Sequence, residues 1–133
     1  GYYYSRPERT AEKVLTAVYT VDNAEIQRRR EAIDNRTFDT YMRERCDGAV
    51  TDNCIDGMIT ASALYYGATP AKVESIKFSP IDKATSDTAS FQYTAVFSDD
   101  SDAKERIGHV VMKKENGKWR VDSFVTKSVT KAD

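Results

Sequence analysis

Two cysteines, one histidine and one tyrosine–aspartate pair are the residues whose types and spacing bear on chemistry. Cys46 and Cys54 bracket the polar stretch DGAVTDN in a C-x7-C arrangement. A zinc site needs about four ligands, no CxxC is present, and His109 lies far along the chain, so the spacing argues against metal. A disulfide clamping the loop is the expected state, and closing so short a loop contributes ~2–3 kcal/mol through the unfolded chain. Such a bond places the domain outside the cytoplasm; two unpaired thiols in a cytoplasmic protein are the alternative. His109 has no partnered Ser or Cys nucleophile and reads as an ordinary sheet-surface histidine rather than a base. Tyr19 and Asp22, at i and i+3, form an acid–base pair only if a pocket encloses them, and both types are also frequent at helix ends.

The remaining charged motifs carry less. Arg28-Arg29-Arg30 is flanked by Glu25 and Glu31, which offset it, so a solvated helix face is expected, with a phosphate or headgroup contact as the alternative. Asp47, Asp52 and Asp56 do not reproduce calcium-loop spacing, and Asp100 and Asp102 lack the following Gly and the distal Glu. Asn35-Arg36-Thr37 is a glycosylation sequon, relevant only to a secreted eukaryotic chain. GxGxxG, Walker, HExxH and GxSxG patterns are absent. The sequence assigns no catalytic residue, cofactor or metal.

The elements that must position these residues are those of one domain, as 133 residues imply. Leu occurs only at Leu15 and Leu64, so the apolar load falls on Val, Ile, Tyr and Phe, which suit strands. A net charge of −1 gives no basic excess for a nucleic-acid surface. No apolar run approaches the ~20 residues that span a bilayer. Tyr2, Tyr3 and Tyr4 before Arg6 fit a chain leaving a membrane interface, or three tyrosines resting on the fold. The expected organisation is a linker over 1–6 following a membrane anchor, an α+β domain over 7–129, and a tail over 130–133.

Ser5-Arg6-Pro7-Glu8 reads as a helix start, and Ala11, Val14, Leu15, Val18 and Tyr19 follow at helical spacing. Asp22-Asn23-Ala24-Glu25 opens a second helix to about Ile33, with Ile26, Arg30 and Ile33 on one side. A third spans Thr37 to Arg45 with Phe38, Tyr41 and Met42 inward. From Ala49 to Thr69 no element is legible, but Met58, Ile59, Leu64, Tyr65 and Tyr66 are expected to be buried. Strands are predicted at Val73–Phe78, ending before Pro80, and at Thr88–Ser98, where Phe91, Tyr93, Ala95 and Phe97 share a face. Asp99-Asp100-Ser101-Asp102 is a polar turn.

Asn116-Gly117 predicts a two-residue hairpin turn pairing Lys114 with Trp119, Met112 with Val121 and Val110 with Ser123. Trp119, Val121, Val125, Met112 and Val110 then form the core face. Ile107, His109, Val111 and Phe124 fall on the other, with Asp122, Lys113 and Arg120. That face is too apolar for water alone and is the candidate partner or oligomer surface. A one-residue slip in register would exchange the faces.

Helices first, then about four antiparallel strands closing on Gly117-Lys118-Trp119-Arg120-Val121, resemble the cone-shaped α+β fold of the nuclear-transport-factor-like (cystatin-like) superfamily. The resemblance implies N-terminal helices packed on a curved antiparallel sheet. The stretch AEKVLTAVYTVDNAEIQRRREAID is similar to the extracytoplasmic domain of the bitopic assembly factor of type IV secretion and conjugation machines. It is also similar to membrane-anchored accessory proteins of mycobacterial lipid-import loci. The resemblance implies a non-enzymatic scaffold in the cell envelope, bacterial, membrane-anchored, working through other protein subunits or as a homo-oligomer. A small-molecule binder or isomerase-like or hydratase-like enzyme using the cone interior at Tyr19 and Asp22 is the alternative. An envelope lipoprotein, secreted inhibitor or transport accessory protein is a further one.

Overall fold

Ala11, Val14, Leu15 and Val18 recur at helical spacing and each is at most 2% exposed, so the first helix is pinned by one apolar stripe. The computed structural model describes residues 6–62 and 68–131. Four helices come first: α1 (Arg6–Tyr19), α2 (Asn23–Asp34), α3 (Phe38–Arg45) and α4 (Asp52–Thr60). Four strands follow: β1 (Val73–Pro80), β2 (Thr88–Phe97), β3 (Ala103–Glu115) and β4 (Lys118–Lys131). They form one antiparallel sheet in the order β1-β2-β3-β4, and the fold is α+β as expected. These elements overrun the expected domain limits at both ends, starting at Arg6 and reaching Lys131. Ser5, expected as the α1 cap, and Leu64, Tyr65 and Tyr66 lie outside the described residues.

The Asp22 carboxylate caps α2 by accepting from the Glu25 amide at 2.7 Å. Glu25 does not reach back to complete a capping box. Its carboxylate turns inward, 3% exposed, and accepts from Arg29 Nε at 2.7 Å, with Arg45 Nε at 3.1 Å. Tyr41 donates its hydroxyl to the other carboxylate oxygen. Both arginines then serve α1, whose last turn has no basic residue of its own. Arg29 donates to the Val18 and Ala17 carbonyls, and Arg45 to those of Ala17 and Thr20. These are carbonyls at and just past the end of α1, where no helical N–H is available, so two guanidiniums satisfy them and complement the helix dipole. The solvated face expected of Arg28-Arg29-Arg30 therefore fails at Arg29, which is 1% exposed; only Arg28 is fully outward.

In α3, Phe38 and Met42 are buried and Tyr41 half-buried, as its spacing predicts. Helix α4 was not legible: it is short and carries Gly57 and β-branched residues, which weaken helix propensity. It is held by Thr51, whose hydroxyl accepts from the Cys54 amide at 3.1 Å, and by burial of Cys54, Ile55 and Met58. Ile59 is not buried as expected but 44% exposed, because it falls on the outward side of α4.

On β2, Phe91, Tyr93, Ala95 and Phe97 are each at most 5% exposed and form the centre of the core. Strand β1 continues through Pro80, which pairs opposite Phe91; an edge strand tolerates a residue without an N–H. Asn116 and Gly117 both have positive φ, 51° and 78°, the backbone of a type I′ turn. Lys114 pairs with Trp119 and Met112 with Val121, as predicted. The register then shifts. Val111 lies opposite Ser123, leaving Asp122 as an inserted residue, a β-bulge. Val110 consequently faces Phe124, not Ser123, and His109 faces Val125. Phe124 turns onto the core and Val125 turns out, 50% exposed, reversing the expected places of both.

The cause lies in the loop between α3 and α4 and in the first turn of α4. Thr51 donates its hydroxyl to the Asp122 carboxylate at 2.8 Å and Asn53 donates to the Asp122 carbonyl at 2.9 Å. The Thr51 amide binds the Val121 carbonyl, and the Val121 amide binds that of Ala49. The loop thus occupies the free edge of β4 at the bulge.

Candidate functional site

Between the C-terminal end of α1 and the far ends of β3 and β4 lies an open cavity of about 660 Å³. Its polar residues come from elements already placed: Tyr19 ends α1, Arg106 lies on β3, Thr126 on β4. Behind Tyr19 stands Tyr93 of β2, fully buried, with the two phenol oxygens 2.7 Å apart. Burial, then the neighbouring Tyr19, pushes the Tyr93 phenol far above its ordinary range. Gly108 lies opposite Tyr93 on β3. A Cβ there would collide with the Tyr93 phenol and the Val125 carbonyl, so glycine is what lets the ring cross its neighbouring strand.

Arg106 sets its guanidinium 4.8 Å from the Tyr19 ring centroid and donates to the Thr126 hydroxyl at 2.7 Å. Its Nε is buried without a hydrogen-bond partner. Phe97 and Phe124 pack edge-on to Tyr19 with ring centroids at 6.4 and 6.0 Å. Among the described residues, Arg29, Arg106 and Lys131 line the cavity with one acid, Asp102, and Arg29 is already paired with Glu25. The arrangement can hold an anionic group at one end of an apolar space.

Tyr19 is therefore in a pocket, but Asp22 is not beside it. Asp22 caps α2 and borders a separate cleft with Arg28, Arg45 and Lys72, so the expected acid–base pair does not assemble. Tyr93, Arg106 and Gly108 were missed. The signal available was a glycine interrupting an alternating strand, a mark of close approach by another group.

His109 sits half-buried on the outer face of the sheet, between Gln92 and Val125. Ile107 is half-buried and Val111 40% exposed on the same face; Phe124 has left it and Val125 has joined it. Cys46, just past the end of α3, and Cys54, in the first turn of α4, are both buried, at 0% and 3% exposure, and stand here as free thiols. Burial pushes the Cys46 thiol up to about 11 and that of Cys54 up to about 12, with Cys46 raising Cys54 further. Neither is a ready nucleophile at neutral pH. Among the described residues no cluster of three or more His, Cys, Asp or Glu is placed to hold a metal. No described helix is long and apolar enough to cross a membrane.

The chain matches no protein-family model, and no curated protein is significantly similar to it.

Proposed function

We propose that this chain is a non-enzymatic assembly domain of a cell-envelope complex, of the conjugative or type IV secretion kind, built on a cone-shaped nuclear-transport-factor-like frame. It works outside the cytoplasm by protein–protein contact. The observation that carries the reading is one-sided packing: the core residues of β2 all lie on one face, and the opposite face of the sheet leaves Val111 and Val125 exposed beside Ile107 and His109. The contact is a second copy of the chain laid on that face. Bulges at Asp122 and near Lys127, which bend β4, support the cone.

Sedimentation velocity of the wild type and of Val111→Asp/Val125→Asp tests the contact. Self-association that disappears in the variant, with the unfolding temperature unchanged, is expected. A wild type that stays monomeric at every concentration overturns it. The compartment is read separately, from intact mass after alkylation without reductant: outside the cytoplasm, Cys46 and Cys54 should be oxidised to a disulfide.

A second reading draws on the cavity. The unpartnered Arg106 Nε beside Tyr19 favours a small ligand with one anionic group and an apolar body. Thermal shift with medium-chain carboxylates, abolished by Arg106→Gln, would support it; no shift with any of them would sink it.

A further inference from the structure

The start of α1, the loop over 47–49 and the tip of the β3–β4 hairpin meet at one end of the domain and enclose a groove of about 530 Å³. Five of its side chains are cationic, Arg6, Arg9, Lys13, Lys118 and Arg120; Asp47 in the lining and Glu115, paired with Arg120 at 3.7 Å, offset two of them and leave a net +3 among the described residues. The whole chain carries −1, so positive charge is concentrated here and the remainder is acidic. Lys13 holds Asp47 at 2.5 Å and keeps its carboxyl below the usual range. Arg120 donates to the Gly48 carbonyl. Arg6 and Lys118 are exposed and have no ion-pair partner among the described residues.

Trp119 lies among these cations. It packs on the core from one side and lines the groove on the other, with the Lys114 ammonium 5.8 Å from its ring centroid. An amphipathic ring ringed by Lys and Arg suits a lipid–water boundary, where the ring sits at headgroup depth and each cation is drawn to anionic lipid.

We propose that this end of the domain is a docking surface for an anionic phospholipid membrane. Arg6, Arg9, Lys13 and Lys118 meet headgroup phosphates and Trp119 seats between them. A nucleic acid is the other polyanion to weigh. It would run past the groove onto the acidic remainder of the domain and be repelled there, whereas a membrane touches one end only. The surface uses neither Val111 nor Val125, so its failure would leave the assembly reading standing.

Trp119 is the sole tryptophan, so its emission reports this end alone. The 133-residue chain is mixed with vesicles of phosphatidylcholine, or of phosphatidylcholine with about one-third phosphatidylglycerol, and followed by fluorescence and flotation. A blue shift and flotation with the anionic vesicles only, reversed at about 0.5 M salt, are expected. Arg6→Glu/Lys118→Glu should weaken partitioning at least about tenfold with unchanged circular dichroism. If that pair does not fold, Arg6→Gln/Lys118→Gln should give a smaller loss in the same direction. Equal binding to neutral vesicles, binding indifferent to both variants, or no binding would overturn the proposal. So would tight binding of a DNA duplex with no anionic vesicle bound.

Discussion

The phenol of Tyr93 passes over Gly108, its cross-strand partner, and ends 2.7 Å from the phenol of Tyr19. One missing Cβ thus joins the sheet to the end of α1. Gly108→Ala should cost about 1–3 kcal/mol or more, because neither the ring nor the Val125 carbonyl can withdraw cheaply. Gly57→Ala is the internal control: nothing lies within 4 Å of its Cβ position, and it sits inside α4. It should stabilise by about 0.5–1 kcal/mol. Urea unfolding of both variants checks the pair, and equal effects would refute the role given to Gly108.

Glu25 lies between Arg29 and Arg45 and pairs with both, and both arginines close the end of α1. Glu25→Gln should cost about 3–5 kcal/mol, since it removes the carboxylate charge that faces the buried Arg29 guanidinium at 2.7 Å. Tyr41→Phe removes one hydrogen bond to the same carboxylate and should cost only about 1 kcal/mol. Thermal unfolding distinguishes them; a Glu25→Gln loss no larger than that of Tyr41→Phe would mean that Arg29 finds other acceptors.

The bulge at Asp122 makes opposite predictions for adjacent residues. Phe124→Ala should cost about 2–3 kcal/mol, below the range for a fully buried ring because Phe124 is only half-buried. Val125→Thr should stay within about 0.5 kcal/mol. The reverse order in chemical denaturation would restore the unbulged register.

In the reduced protein, alkaline pH should destabilise the fold through its two buried thiols. The ordinary value of 9.0 rises to about 11 at Cys46 and about 12 at Cys54. Above pH 9 the unfolded chain gives up these protons while the folded one keeps them. Unfolding free energy therefore falls as pH climbs from about 9 toward 11, by at most about 1.4 kcal/mol per unit for each thiol. Urea titrations at about pH 8 and pH 10.5 should show that fall, and Cys46→Ala/Cys54→Ala should flatten it. Tyr93, also raised by burial, leaves a residual slope in the same direction. An unchanged slope in the double variant would place the effect elsewhere.

The candidate site was half legible. Tyr19 sits in a cavity, as its place at the end of an apolar helix stripe allowed, but the partner sought in Asp22 is spent on capping α2. Its actual neighbours, Tyr93 and Arg106, come from strands far along the chain. Residue spacing carries no record of which strand face a distant helix will end against.

The sequence by itself determined what local physics governs. The α1 stripe, the Asp22 cap, the alternation of β2 and the Asn116-Gly117 turn depend on residues a few positions apart, and each formed where its pattern lay. Tertiary structure decided the burial of Arg29, the outward turn of Ile59 and the exchange of Phe124 with Val125. The last is set by Thr51 gripping Asp122 across 71 residues. A strand has two faces, and one inserted residue changes which is buried; only a contact from elsewhere in the fold says whether that residue is inserted.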